Sequence, residues 1–265
     1  MSAERESRSG LGPSSAGSAD NAEPADGLRN LHELSLPDVR MRYVSVRVGP
    51  MVRPLEQSDR YEAIADLRLV DRVPEQVQVH YDTARNLYLY AWHVYRFHVV
   101  AEHQALASLE MALRLALGQR GIVDGEGAFV DPSTQGSKKR SSRPAGLSQL
   151  MSMAARLGII TNDGLTRRAQ WAQRLAEERL SIEHIQFMER NDLDRMDLPD
   201  TPAIPTAEEL ALDWLQQFVE GLPRLRNEYA HGSQMLHANV LRTIQIVCDL
   251  INQIWSDDKV NAGSG

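Results

Sequence analysis

The sequence predicts an all-α fold: a helical bundle over 74–255, a disordered tail at 1–30, a small N-terminal appendage at 31–73 with room for short strands, and a C-terminal tail at 256–265. Three observations predict it. Apolar residues recur at three- and four-residue spacing over most of the chain after Pro74, helix start and stop signals bracket those stretches, and only one segment alternates as a strand does.

In chain order, residues 1–30 are rich in Ser, Gly, Ala, Asp and Glu and show no periodicity. Such a composition buries too little apolar surface to offset the entropy of ordering. Val39 to Val48 alternates apolar and polar until Gly49-Pro50 stops it, which predicts a strand. A strand needs a partner, and Leu67-Arg68-Leu69-Val70 is the nearest candidate for a small hairpin. Arg40, Arg42 and Arg47 read as the polar face of an edge strand.

Pro74-Glu75 opens the longest element, in which Ala84, Leu87, Tyr88, Ala91, Val94, Ala105, Leu109, Ala112 and Leu113 keep helical spacing until Gly118. One helix of that length would run roughly 65 Å, so a kink or break is expected in its first half. His93, His98 and His103 are five residues apart and do not share a face as metal ligands would. His98 and Glu102 stand one turn apart, a pair suited to a polar contact on a helix face. The aromatic run from Tyr81 to Phe97 points around the helix, as core or dimer surface does.

Residues 118–146 form the expected flexible loop, with five glycines ahead of a basic run from Lys138 to Arg143 that suits a phosphate backbone or plain solvent. Two helices follow: Leu147 to Leu157, closed by Gly158, and Leu165 to Glu189, with Ala172, Leu175, Ala176, Ile182, Ile185 and Met188 as its apolar stripe. Thr206-Ala207-Glu208-Glu209 has the form of a capping box, and Leu210, Trp214, Leu215 and Phe218 carry that helix onward. Gly221 and Pro223 predict an interruption and a short new helix from near Leu222. The last helix is expected from near Ser233, with Leu236, Val240, Leu241, Ile244, Val247, Cys248, Ile251 and Ile254 as a continuous buried stripe.

With 265 residues, 42% of them hydrophobic, the chain can bury a sizeable core. A formal charge of -7 argues against a protein that coats nucleic acid indiscriminately and leaves room for a local basic cleft. The one cysteine, Cys248, excludes an intramolecular disulfide and fits a small buried hydrophobe in a reducing compartment. Met1 to Glu6 lacks an apolar signal core and no apolar run reaches membrane-spanning length, so a cytoplasmic protein without a membrane partner is expected. There is no Gly-rich phosphate loop, no Cys/His metal spacing and no Gly-x-Ser-x-Gly, so neither a metal nor a cofactor is implied.

Chemistry concentrates in Arg226-Asn227-Glu228-Tyr229-Ala230-His231-Gly232. Arg226 is a permanent cation that forks onto phosphate oxygens, His231 titrates near neutrality, and Asn227 can hold either group or a substrate oxygen. On a continuous helix Arg226 and Tyr229 share a face while Arg226 and His231 lie roughly 140° apart, so the two converge only if the helix ends near Gly232. Such a set suits phosphodiester cleavage on RNA, where the neighbouring 2′-hydroxyl is an internal nucleophile. The same residues also serve a helix end and a solvated surface. His237, six residues beyond His231, reads as a cap or surface group.

Arg226-Asn227 followed by His231, set before the last long helix of an all-helical chain, resembles the Arg-(Asn/Asp/His)-x3-5-His signature of the HEPN superfamily. The run Ala105-Leu106-x-x-Leu109-Glu110-x-Ala112-Leu113 is similar to an early helix of those bundles. The resemblance implies a metal-independent endoribonuclease, of the kind found in toxin–antitoxin, phage-defence or RNA-processing systems. It assigns the active site to Arg226, Asn227 and His231, with RNA as substrate, no cofactor and a site completed across a homodimer. An antitoxin or regulatory protein is a further implied partner. Some members lack activity, so the alternative is a catalytically silent helical module that binds a protein or nucleotide.

Overall fold

The structure, a computed structural model, describes residues 26–49, 51–130, 143–196, 202–230 and 240–256. The tails expected at 1–30 and 256–265 fall largely outside the described residues, as do Lys138 to Arg140 of the basic loop. The chain divides into two compact units, Met1–Ser35 and Leu36–Gly265. In the first, the described residues hold one 3-10 turn, Leu31–Glu33, whose start is secured by the Asn30 N–H donating to the Glu33 carboxylate at 3.1 Å.

The second unit is mostly helical. Its described helices are α1 Gln57–Ala65, α2 Glu75–Tyr90, α3 Phe97–Gln119, α4 Leu147–Arg156, α5 Arg168–Arg190, α6 Ala207–Leu210, α7 Trp214–Ala230 and α8 Val240–Ile254. An all-α bundle with a small strand-bearing segment is therefore what this sequence forms. α3 is the central element: α2, α4, α7 and α8 all pack on it. Its Leu106, Leu109, Leu113 and Leu117 are fully buried in the same core as Ile244, Leu250 and Ile251 of α8. Burial of a Leu or Ile side chain stabilises by about 1.5–3 kcal/mol, so this central face is the main source of stability. Among the described residues no helix is long and apolar enough to cross a membrane.

The strand expectation needs correcting in its partner and its start. β1 Ser45–Val48 pairs antiparallel with β2 Met51–Pro54, Val46 opposite Arg53 and Val48 opposite Met51, across a tight turn entered through Gly49 at φ 60°. Leu67 to Val70 is not the partner, because its backbone is already used. Asn252 of α8 accepts from the Val70 N–H at 2.9 Å and donates to the Arg68 carbonyl at 3.0 Å, while Leu67 is buried in the core. Val39–Tyr43 is a 3-10 helix rather than strand, started by Asp38, whose carboxylate accepts from the Arg40 N–H.

The expected break in the long element falls at Ala91 to Arg96, where α2 turns back into α3. No glycine or proline lies there. Asp38 makes the turn instead: its N–H donates to the Trp92 carbonyl at 2.8 Å and its carboxylate accepts from the Tyr95 N–H at 3.0 Å. Burial pushes that carboxyl up, and the bonds from Arg40 and Tyr95 more than offset it, leaving Asp38 below the usual carboxylate range.

The interruption expected at Gly221 and Pro223 does not occur; α7 runs straight through both. The break falls earlier, at Ala211 to Asp213, because Asp213 caps the start of α7. Its carboxylate accepts from the Gln216 N–H at 2.9 Å and from the Asn162 side chain at 2.7 Å, while Asn162 accepts from the Leu215 N–H at 2.9 Å. Burial of Leu222 and Tyr229 outweighs the helical hydrogen bond that Pro223 cannot donate. α5 differs from its sequence pattern in another way: Trp171, Ala172 and Ala176 are buried, but Ile182, Ile185 and Phe187 in its second half are exposed.

Candidate functional site

α7 delivers the motif onto one face of α3. Along that face His98, Glu102, Glu110 and Arg114 recur at multiples of four residues, with Leu106 filling the gap, so a polar ladder runs up an otherwise apolar helix.

Arg226 stands over the upper rungs. Its Nε lies 3.3 Å from Glu110 Oε2, an ion pair without hydrogen-bond alignment, while Glu110 Oε1 takes the Arg114 Nη2 at 2.7 Å. Glu110 is 13% exposed and the Arg226 side chain 35% exposed. The guanidinium is therefore anchored from below and open to solvent above. Arg114 is itself held by donation to the Ala145 carbonyl at 2.9 Å. Asn227 is exposed beside Arg226. His231 and His237 lie outside the described residues, as do Gly232 and Ser233, so of the three expected site residues the structure places Arg226 and Asn227.

Tyr229 occupies the lower rungs. It is buried, and its hydroxyl donates to Glu102 Oε2 at 2.5 Å; the Thr243 hydroxyl of α8 donates to the other carboxylate oxygen. Glu102 is 1% exposed. A buried carboxylate needs donors to replace water, and here one comes from each of two other helices. Burial and the bond to Glu102 together push the Tyr229 hydroxyl well above its ordinary range.

Below Glu102 the ladder ends in a buried cation. Arg60 of α1 donates to the Tyr88 carbonyl, lies 4.0 Å over the Tyr88 ring, and brings Nη2 within 3.0 Å of His98 Nε2. Guanidinium only donates, so His98 Nε2 is the acceptor and the imidazole carries its proton on Nδ1. Burial holds Arg60 below its usual range. His98 and Glu102 are thus buried polar groups in a packed seam, each bonded to side chains of other helices. Among the described residues no group of three or more His, Cys, Asp or Glu side chains is placed to hold a metal ion.

The sequence alone assigns no site role to Glu110, Arg114 or Thr243. The available signal was two carboxylates, Glu102 and Glu110, inside an apolar run from Ala101 to Leu117. A charge on a buried face is retained only with a partner, and the motif helix supplies it. Comparison of the chain with protein-family models, with curated proteins and with solved structures finds no match.

Proposed function

We propose that this protein is a metal-independent endoribonuclease of HEPN type. The observation that carries the reading is the Arg226 guanidinium, anchored by Glu110 at its inner edge and open at its outer one, next to exposed Asn227. In this reading the 2′-hydroxyl attacks the adjacent phosphorus, its proton passes to His231, and the bond to the 5′-oxygen breaks. That oxygen takes up a proton, leaving a 2′,3′-cyclic phosphate. Arg226 binds the phosphate and stabilises the charge that grows on its oxygens, and Asn227 positions the reacting groups. A homodimer joins two such motifs, and the exposed Ile182, Ile185 and Phe187 of α5 offer apolar surface for a second copy.

A second reading, a silent binding module, draws on the same ion pair, because Glu110 of the same chain already satisfies part of Arg226. The deciding experiment is cleavage of a mixed RNA pool in EDTA by the wild type, His231→Ala and Arg226→Ala. Chelator-resistant cleavage with cyclic phosphate ends, lost in both variants, supports the ribonuclease. Folded wild type that leaves the pool intact at every concentration supports the binding module.

A further inference from the structure

Adjacent residues of α8 serve two different places. Thr243 reaches the Glu102 carboxylate, while the Arg242 guanidinium lies over two indoles, 5.8 Å from the Trp171 ring centre and 5.9 Å from that of Trp214. A cavity of about 380 Å³ opens there, with Arg174, Glu178, Gln217, Arg242 and the two tryptophans in its wall.

The two guanidiniums in this wall lack an internal ion-pair partner among the described residues. Arg174 and Arg242 sit close enough to repel, and neither has an ion-pair or hydrogen-bond partner among the described residues, although the chain carries a net charge of -7. Burial and the neighbouring Arg174 both hold Arg242 below its usual range. Two guanidiniums without an ion-pair partner among the described residues therefore line a space much larger than a simple anion.

We propose that this cavity binds a nucleoside monophosphate unit, free or at the end of an RNA strand. Its phosphate sits between the guanidiniums of Arg174 and Arg242, and its base fills the remaining volume beside Gln217 and Glu178. A phosphate monoester offers three free oxygens and so accommodates two guanidinium forks, where a carboxylate offers two. The volume falls within the range of small-molecule pockets. Glu178 can accept from a base amino group and Gln217 can donate or accept at a base edge. The site stands independently of chemistry at Arg226.

The test is calorimetric titration of the full-length protein with the four nucleoside 5′-monophosphates, inorganic phosphate, a deca-glutamate peptide, and 2′-O-methyl RNA with and without a 5′-phosphate. The 2′-O-methyl strand lacks the internal nucleophile and survives any cleavage activity. Binding of a phosphomonoester probe is expected to quench tryptophan emission and to weaken at least about tenfold in Arg174→Gln/Arg242→Gln. Arg242→Lys should lose part of that affinity. Binding of monophosphates alone identifies a free nucleotide; binding of the phosphorylated strand identifies an RNA end. Arg174 is exposed, so the single Arg174→Gln carries the test if the double variant melts early. Phosphate probes that fail to bind, or bind the variants equally well, overturn the proposal, and binding of deca-glutamate in their place reassigns the pocket to an acidic protein.

Discussion

Tyr229, inside the motif on α7, hydrogen-bonds to the carboxylate of Glu102, 127 residues earlier on α3. That contact, with Thr243 on the opposite carboxylate oxygen, ties together the three helices that present Arg226. Removing either donor leaves a buried charge short of a partner.

Tyr229→Phe is accordingly expected to destabilise the fold by about 1–3 kcal/mol, as is Thr243→Val. Because both donors serve one carboxylate, the double variant should depart from additivity by at least about 0.5 kcal/mol. Urea denaturation of the four proteins measures it. Additive losses would show that the two hydroxyls act independently.

Glu110→Gln separates holding Arg226 from holding the fold. The pair is partly exposed, so stability should change by less than about 1 kcal/mol. Under the proposed function, kcat should fall about tenfold because the guanidinium is no longer fixed. On an Arg226→Ala background the same substitution should do nothing further. An unchanged kcat in the single variant would remove Glu110 from the site.

Asn162→Ala tests the start of α7. It deletes one bond to Asp213 and one from the Leu215 N–H, so a loss of about 1–2 kcal/mol is expected, read as a lower urea midpoint with unchanged slope. Asn162→Asp keeps the acceptor but sets two carboxylates against each other and should recover little. A wild-type midpoint in the alanine variant would mean that the cap is dispensable.

Alkaline pH should weaken the fold. Burial, with Cys248 nearby, raises the Tyr81 hydroxyl far above its ordinary range, and Tyr229 is raised by burial and Glu102. In the unfolded chain both ionise near pH 10, so above that pH the unfolded state sheds protons that the native state keeps. Stability is then full below about pH 10 and declines as pH rises further. Urea midpoints taken alongside tyrosinate absorbance from about pH 9 to pH 11 check this. A midpoint that stays flat while tyrosinate appears would contradict the assigned burial.

Much of the fold was legible in local pattern. The apolar stripe of α8 is buried from Val240 to Ile254, α4 ends at Arg156 just before Gly158 with φ 67°, and the Thr206 cap sits where the capping box placed it. These features follow from neighbours within one or two turns, and neighbours are what a sequence displays. The elements misread were those whose local preference was overruled from afar. Pro223 stays helical because core packing of Leu222 and Tyr229 outweighs one missing N–H, and Leu67 to Val70 forgoes strand pairing because Asn252 takes its backbone groups.

At the candidate site, the sequence by itself determined the chemistry on offer: a permanent cation at Arg226, an amide at Asn227 and an imidazole at His231 within six residues. Only the tertiary structure decided what stands behind Arg226 and Tyr229. Glu102, Glu110 and Thr243 lie more than a hundred positions before the motif or on the next helix, and no spacing rule reaches so far. They meet because α7 and α8 bury their apolar faces on α3, and a carboxylate carried into that contact must find its donors there.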